Sequence, residues 1–183
     1  NYISNETSYL QVVKELGTRA HKGGAYIGVG PEQNFSYIAL LEPKLAFIVD
    51  IRRGNAIEHL LYKAIFEEAT TRTHFVALLL GRRHDEKADP GPEASISEVL
   101  AQAERAPADP KVYAETHALL VKKIRARGFV LGAEDDKTLE ATHRAFFERG
   151  LDLSFELHEK NGRKYPRLRE LFSAKDPEQA ESG

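Results

Sequence analysis

The sequence contains no cysteine, no methionine and no tryptophan. Without cysteine there is no disulfide framework, no thiolate metal site and no thiol nucleophile. That absence fits a reducing compartment, and a cytoplasmic location is the expectation. Without methionine, Asn1 is not a translation start unless the start was removed. The chain therefore reads as a segment of a longer protein, expected to continue beyond Gly183, and any leader would lie upstream. No apolar run approaches the roughly 20 residues that a membrane-spanning helix needs. Charge of one sign is also lacking. A net charge of -2 gives no overall pull toward nucleic acid or a membrane surface. No Gly-x-Ser-x-Gly elbow occurs, which lowers hydrolase readings.

What is present is an ordinary globular composition, 42% hydrophobic and 30% charged over 183 residues, enough for a domain with a real core. Ser4 to Leu16 reads as a helix with Ser4 or Asn5 as cap, a face of Tyr9, Leu10, Val13 and Leu16, and Gly17 as stop. Tyr26 to Val29 is a short apolar run between glycines and suits a central strand buried on both faces. Pro31 fits the first position of a helix that reaches Leu41 and ends at Pro43. Phe35, Ile38, Ala39 and Leu41 are its apolar residues. Leu45 to Ile51 is a second strand. Asn55 caps a third helix through Ala69, with an apolar stripe of Ile57, Leu60, Leu61, Ala64 and Ile65. Phe75 to Leu80 continues as helix to Gly81. Strand, helix, strand, helix is the crossover pattern of a parallel sheet.

The second half differs. Residues 82–110 read as a charged mobile loop with a short helix at Ile96 to Ala103. Val112 to Arg127 is a helix capped by Asp109. Thr138 to Arg149 is another, capped by Asp135 or Asp136. Leu151 to Leu157 alternates like a strand, Asn161-Gly162 marks a turn, and Leu168 to Ser173 is a last helical turn. Three segments result: 1–81 as the glycine-turn half, 82–110, and 111–183, within one domain overall. Two firm strands and a doubtful third do not complete a doubly wound sheet, so either the missing strands lie beyond Gly183, which is the favoured expectation, or the helical second half covers a very small sheet.

Chemistry concentrates in Gly24-Ala-Tyr-Ile-Gly-Val-Gly-Pro-Glu-Gln-Asn34 and Phe47-Ile-Val-Asp50. Glycines at a strand tip let a ligand approach the backbone, and the next helix offers free amides. An acid about 20 residues on, at the tip of the next strand, can hold ribose hydroxyls. Gly28, Gly30 and Asp50 stand in that order. Gln33 replaces the third glycine of the dinucleotide fingerprint, and Glu32 sits where a pyrophosphate wants neutral or positive surroundings. Both weigh against NAD or FAD. S-adenosylmethionine carries a ribose, a sulfonium and an amino group but no phosphate, and tolerates Glu32. Gln33 and Asn34 can hydrogen-bond a ligand or be plain surface polarity. Arg52 and Arg53 can clamp an acidic substrate or pair with surface acids. Equally, the glycines can serve a tight turn and nothing else.

These residues carry a resemblance. Asn1-Tyr-Ile-Ser-Asn-Glu6, Tyr26-Ile-Gly-Val-Gly-Pro-Glu-Gln-Asn-Phe-Ser-Tyr-Ile38 and Ala46-Phe-Ile-Val-Asp-Ile-Arg-Arg53 resemble a family of uncharacterised bacterial proteins with a Rossmann-like, methyltransferase-type fold. The match is specific through Leu80 and loose afterwards. It implies an α/β, Rossmann-like parallel sheet, partial in this chain, with a helix-rich second half. It also implies S-adenosylmethionine as the cofactor class. The cofactor-binding candidates are then Gly28, Gly30, Glu32, Gln33, Asn34, Asp50 and Arg52. Tyr26 and Glu32 depart from the usual first methyltransferase motif.

No general base identifies itself. Seven histidines are scattered with no His-x-x-x-His spacing, so a metal is not expected. Ser4, Asn5 and Glu6 can reach a ligand crevice or simply cap a helix. The basic run Lys160, Arg163, Lys164, Arg167 and Arg169 reads as a solvated face rather than a nucleic-acid surface. Two expectations follow: a methyltransferase-like domain of unknown acceptor, or a non-catalytic Rossmann-like binding or structural subunit of a larger assembly.

Overall fold

Two strands lie side by side in the computed structural model, which describes residues 3–4, 9–19, 22–155 and 164–174. Contacts group the chain into two compact units, Asn1–Ala56 with Ser154–Gly183, and Ile57–Leu153.

In the first unit β1 (Ala25–Val29) and β2 (Leu45–Val49) pair in parallel, Ala25 beside Leu45 through Val29 beside Val49. A parallel pair needs a crossover, and α2 (Gln33–Leu41) supplies it. Glu42 ends α2 in the left-handed region at φ 45°, its amide donating to the Ile38 carbonyl, and Pro43 prevents resumption. The class is mixed α/β, and the described sheet has two strands.

The expectation that Tyr26 to Val29 is a strand buried on both faces does not hold. Ile27, Val29, Leu45, Phe47 and Val49 are all more than half exposed. Alternate residues of a strand share a face, so these five make one apolar side of the sheet. No other described element of this unit covers it. Helix α2 departs from its pattern too. Its buried residue is Asn34, while Phe35, Ile38 and Leu41 are only half-buried and Ala39 is exposed.

Other boundaries moved for local reasons. The first helix is a 3-10 turn at Tyr9–Val12 followed by α1 (Val13–Arg19), so it passes through Gly17 instead of stopping there. A Cβ on Gly17 would touch the Leu40 side chain at 3.9 Å, so the glycine lies close against α2. The side chains of Tyr9, Leu10 and Val13 lie outside the described set. Pro31 precedes α2 by two residues. Helix α3 (Arg53–Glu68) begins before Asn55, whose side chain turns back to the glycine turn instead of capping. The alternating stretch from Leu151 is no strand over its described part. It has a 3-10 turn at Gly150–Asp152 and a single antiparallel bridge, Ser154 to Arg167. Residues 156–163, with Asn161-Gly162, Lys160 and Arg163, are outside the described residues. Helix α8 (Leu168–Phe172) closes the described chain.

The second unit is helical and follows its apolar stripes. Ile57, Leu61, Ala64 and Ile65 of α3 are buried. Helix α4 (Arg72–Leu79) starts at Thr71, whose hydroxyl accepts the His74 amide at 3.1 Å. It buries Val76, Ala77, Leu78 and Leu79. Helix α5 (Ile96–Arg105) opens with a reciprocal Ser95–Glu98 capping box. Helix α6 (Pro110–Ala126) starts on Asp109 with Pro110 in its first turn, and buries Tyr113, Leu120 and Ile124. Helix α7 (Ala133–Arg149) starts five residues before Thr138. Asp135 is not its cap. Its carboxylate reaches back to accept the Gly132 amide at 3.1 Å, which satisfies a donor left open at the helix start. Arg82, which opens the charged loop, is held against Phe147. One guanidinium nitrogen donates to the Phe147 carbonyl at 3.0 Å, and the group lies 4.9 Å from the ring centroid.

Each fully buried aliphatic side chain contributes about 1.5–3 kcal/mol, so helical packing carries the second unit. Leu61, with no exposure, and Val49, 56% exposed, should respond very differently. In denaturant titrations we expect Leu61→Ala to cost about 2–5 kcal/mol and Val49→Thr to stay within about 0.5 kcal/mol. A loss at Val49 comparable to that at Leu61 would mean that this sheet face is covered in solution.

Candidate functional site

The glycine turn between β1 and α2 is built around the Asn34 carboxamide. Its Nδ2 donates to the carbonyls of Val29, Gly30 and Pro31 at 3.2, 2.9 and 2.8 Å. Its Oδ1 accepts the Tyr26 hydroxyl at 2.8 Å. Asn55 Nδ2 adds a second bond to the Gly30 carbonyl at 2.9 Å, and Gln33 Nε2 adds one to Val29 at 3.1 Å. A turn that leaves a strand strands its carbonyls, and buried carbonyls need donors. Three amide side chains supply them.

This arrangement explains both glycines. A Cβ on Gly28 would lie 1.9 Å from Asn34 Oδ1 and 2.6 Å from the Tyr26 hydroxyl. The close approach that Gly28 permits is made by the chain's own side chains. Gly30 has φ +93°, where a side chain is strained, and its Cβ would also meet Gln33 Nε2 at 2.7 Å.

The acids sit differently. Asp50 follows β2, and its Oδ1 accepts the Arg52 backbone amide at 2.7 Å and the Arg52 Nε at 3.4 Å. This is a local turn held by an aspartate and its own arginine. Glu32 lies at the start of α2, and its Oε1 accepts the Ser4 backbone amide at 2.8 Å. Its Oε2 is buried with no hydrogen-bond partner. Burial pushes the Glu32 carboxyl up to about 7, against the Ser4 amide, which favours the charged form. Thus Gly28, Gly30, Gln33 and Asn34 form one hydrogen-bonded turn, with Glu32 beside it at the helix start. Asp50 and Arg52 form a pair of their own at the tip of β2. Of the three candidates before β1, Ser4 is placed by its backbone, and Asn5 and Glu6 lie outside the described residues.

Sequence reasoning missed Tyr26 and Asn55 as parts of the turn. Neither contact leaves a periodic signal, since Tyr26 reaches forward 8 residues and Asn55 back 25. Among the described residues no group of three His, Cys, Asp or Glu side chains is placed to hold a metal ion. No described helix is long and apolar enough to cross a membrane.

Fold and turn together define an α/β chain with a glycine turn between parallel strands. It belongs to a family described as a domain of unknown function, DUF7790, whose model matches residues 2–175. A comparison with curated proteins finds no match.

Two outcomes test the turn. Gly28→Ala should cost about 2–4 kcal/mol, because Asn34 and Tyr26 must move. Once Asn34→Ala has made room, adding Gly28→Ala should cost far less than it does alone. Strict additivity would mean that Asn34 does not fill this space. The Glu32 carboxyl holds its proton more tightly folded, near 7, than at its ordinary 4.5. Its protonated form therefore supports the fold fully below pH 4.5, and that support is lost as pH rises through 7. Thermodynamic stability should fall by on the order of 2 kcal/mol from this group between pH 5 and 8. Glu32→Gln should flatten that part of the profile, as read by denaturant titration at each pH.

Proposed function

We propose that this chain is a non-catalytic, Rossmann-like binding or structural unit of methyltransferase-type ancestry. The observation that carries this reading is the occupant of the space above Gly28. In a cofactor-binding turn the absent Cβ leaves room for a ligand. Here Asn34 Oδ1 and the Tyr26 hydroxyl take that room. Both ends of the Asn34 carboxamide are engaged within the turn, its Nδ2 by three carbonyls and its Oδ1 by the Tyr26 hydroxyl. The Asp50 carboxylate, the ribose-binding candidate, is engaged by Arg52 of its own turn. The glycines and the acid then keep the frame of the crossover, and their retention needs no cofactor.

A second reading has one specific observation in its favour. Glu32 Oε2 is a buried acceptor without a donor, at the start of the helix that follows the glycines. The amino group of S-adenosylmethionine is a donor of the right kind. On that reading the chain is a methyltransferase-like domain of unknown acceptor, with Glu32 on the amino group and Asp50 turned onto the ribose. Methyl transfer rests mainly on proximity and alignment, so it asks for no general base.

Calorimetry separates the two. With S-adenosylmethionine and S-adenosylhomocysteine as titrants, the first reading expects no micromolar binding by the folded chain and no change in Asp50→Ala. Micromolar binding of either ligand, lost in Asp50→Ala, would establish the second reading in its place.

A further inference from the structure

The second unit brings together two histidines that lie 26 residues apart, His117 on α6 and His143 on α7. His143 has no solvent exposure. Its Nε2 stands 3.0 Å from the Leu78 carbonyl near the end of α4. A carbonyl only accepts, so Nε2 carries the proton. Burial pushes the His143 pKa down to about 4, so the ring is neutral and its Nδ1 is a bare acceptor. His117 Nδ1 lies 3.1 Å from that acceptor and must donate to it. The chain of bonds therefore puts the single proton of neutral His117 on Nδ1 and leaves its Nε2 lone pair bare. Tyr113 packs against both rings, at 5.8 Å from His117 and 5.1 Å from His143, and limits their rotation.

His117 opens onto a groove of about 620 Å³ lined from α6 by Lys122 and Arg125 and from α7 by Asp136, Lys137 and Glu140. Four of these five charged groups are already paired. Arg125 forks onto both oxygens of Asp136 at 2.8 and 2.7 Å, Glu140 pairs with Arg144, and Lys137 pairs with Glu134. Lys122 makes no ion pair among the described residues and is exposed.

We infer that His117 Nε2 is a proton-accepting site for the acidic hydroxyl of a phosphate-type oxyanion, with Lys122 facing its negative charge. A hydrogen phosphate, free or as a monoester, offers one O–H and charged oxygens. Nε2 can only accept, so it takes the O–H. A fully deprotonated oxyanion would meet a lone pair there and the carboxylates of Asp136 and Glu140 nearby. If the proton crosses from the phosphate oxygen to Nε2, His117 becomes an imidazolium and its Nδ1–H still donates to His143. The relay therefore survives protonation in either direction. The groups that face His117 are Asp136, Glu140, Arg144 and His143 from α7 and Tyr113 from α6. Burial, the largest cause, and Arg144 hold His117 below its ordinary value, while Glu140 and Asp136 raise it. It is thus largely neutral, with its lone pair available, at pH 7.

The test is nitrogen-15 NMR of the histidine rings in the full chain at pH 7. We expect the wild-type His117 spectrum to show a protonated Nδ1 and a bare Nε2. Millimolar inorganic phosphate should shift Nε2, and sulfate at equal ionic strength, which has no proton to give, should shift it at least tenfold less. A methyl phosphate arm distinguishes the sources. A tighter response than to inorganic phosphate assigns a monoester, and an equal or weaker one assigns free phosphate. His117→Asn, which keeps a donor toward His143 but removes the base, should abolish the phosphate response of the Lys122 and Lys137 amides. His143→Gln keeps a donor toward Leu78 and removes the Nδ1 acceptor, and the preference for phosphate over sulfate should fall toward unity. A proton on Nε2 of wild-type His117, equal responses to phosphate and sulfate, or no response to phosphate would each overturn the inference. The first of these needs no variant, so a failure of either variant to fold does not shield the proposal.

Discussion

The Asn34 carboxamide is the contact on which the first unit depends. A parallel pair of strands forces the chain to leave β1, turn, and climb back through α2. The turn exposes three successive carbonyls, and among the described residues the α2 backbone offers them only one long bond, from the Asn34 amide to the Pro31 carbonyl at 3.4 Å. One side chain at the start of α2 reaches all three. Its oxygen then fixes the Tyr26 hydroxyl, which would otherwise be a buried donor of uncertain place. The glycine at position 28, the conformation at position 30 and the placement of Asn55 all follow from making room for that amide and completing its work.

The second unit is governed by a related constraint at the end of α4. Helices leave their last carbonyls without intrahelical donors. At Leu78 part of that deficit is met by His143 Nε2, drawn from a helix 65 residues later in the chain. The consequence propagates through the ring. A carbonyl that can only accept decides which nitrogen of His143 is protonated. That nitrogen decides which face of the second histidine donates, and this leaves the outer nitrogen of His117 as a base at the groove. A backbone requirement is thereby converted into side-chain chemistry at the surface.

Much of the frame was legible from the sequence. The two strands and the helices from α2 to α7 occur near where apolar periodicity and punctuation put them, with Asp109 as a local cap and Pro43 as a local stop, although α4 and α7 begin earlier. The errors share a cause. Gly17 is a potential stop, yet the helix passes it where it lies close against α2. Asp135 is a potential cap, yet it serves the amide of Gly132 instead. Leu151 alternates as a strand should, but alternation needs a partner strand, and one bridge to Arg167 does not make one. The apolar run of β1 suits a strand buried on both faces, yet Ile27 and Val29 are exposed. Burial is set by what lies over a strand, and the run itself carries no information about that. The candidate site was legible as a set of positions. Its partners were not, because Tyr26, Asn55 and Ser4 join it through contacts between elements.

By itself the sequence determined the alternation of strand and helix, the glycine turn between parallel strands, and the acid at the tip of β2. Those features rest on local sterics and on spacings of a few residues. Only the tertiary structure decided what fills the turn. Gly28 reads the same whether a ligand or Asn34 occupies the space beside it, because a missing Cβ records that something comes close and not what it is. The same holds for the histidines. Their spacing along the chain excluded a helical metal pair, whereas the proton on His117 is placed by a carbonyl on another helix, and no one-dimensional pattern encodes that bond.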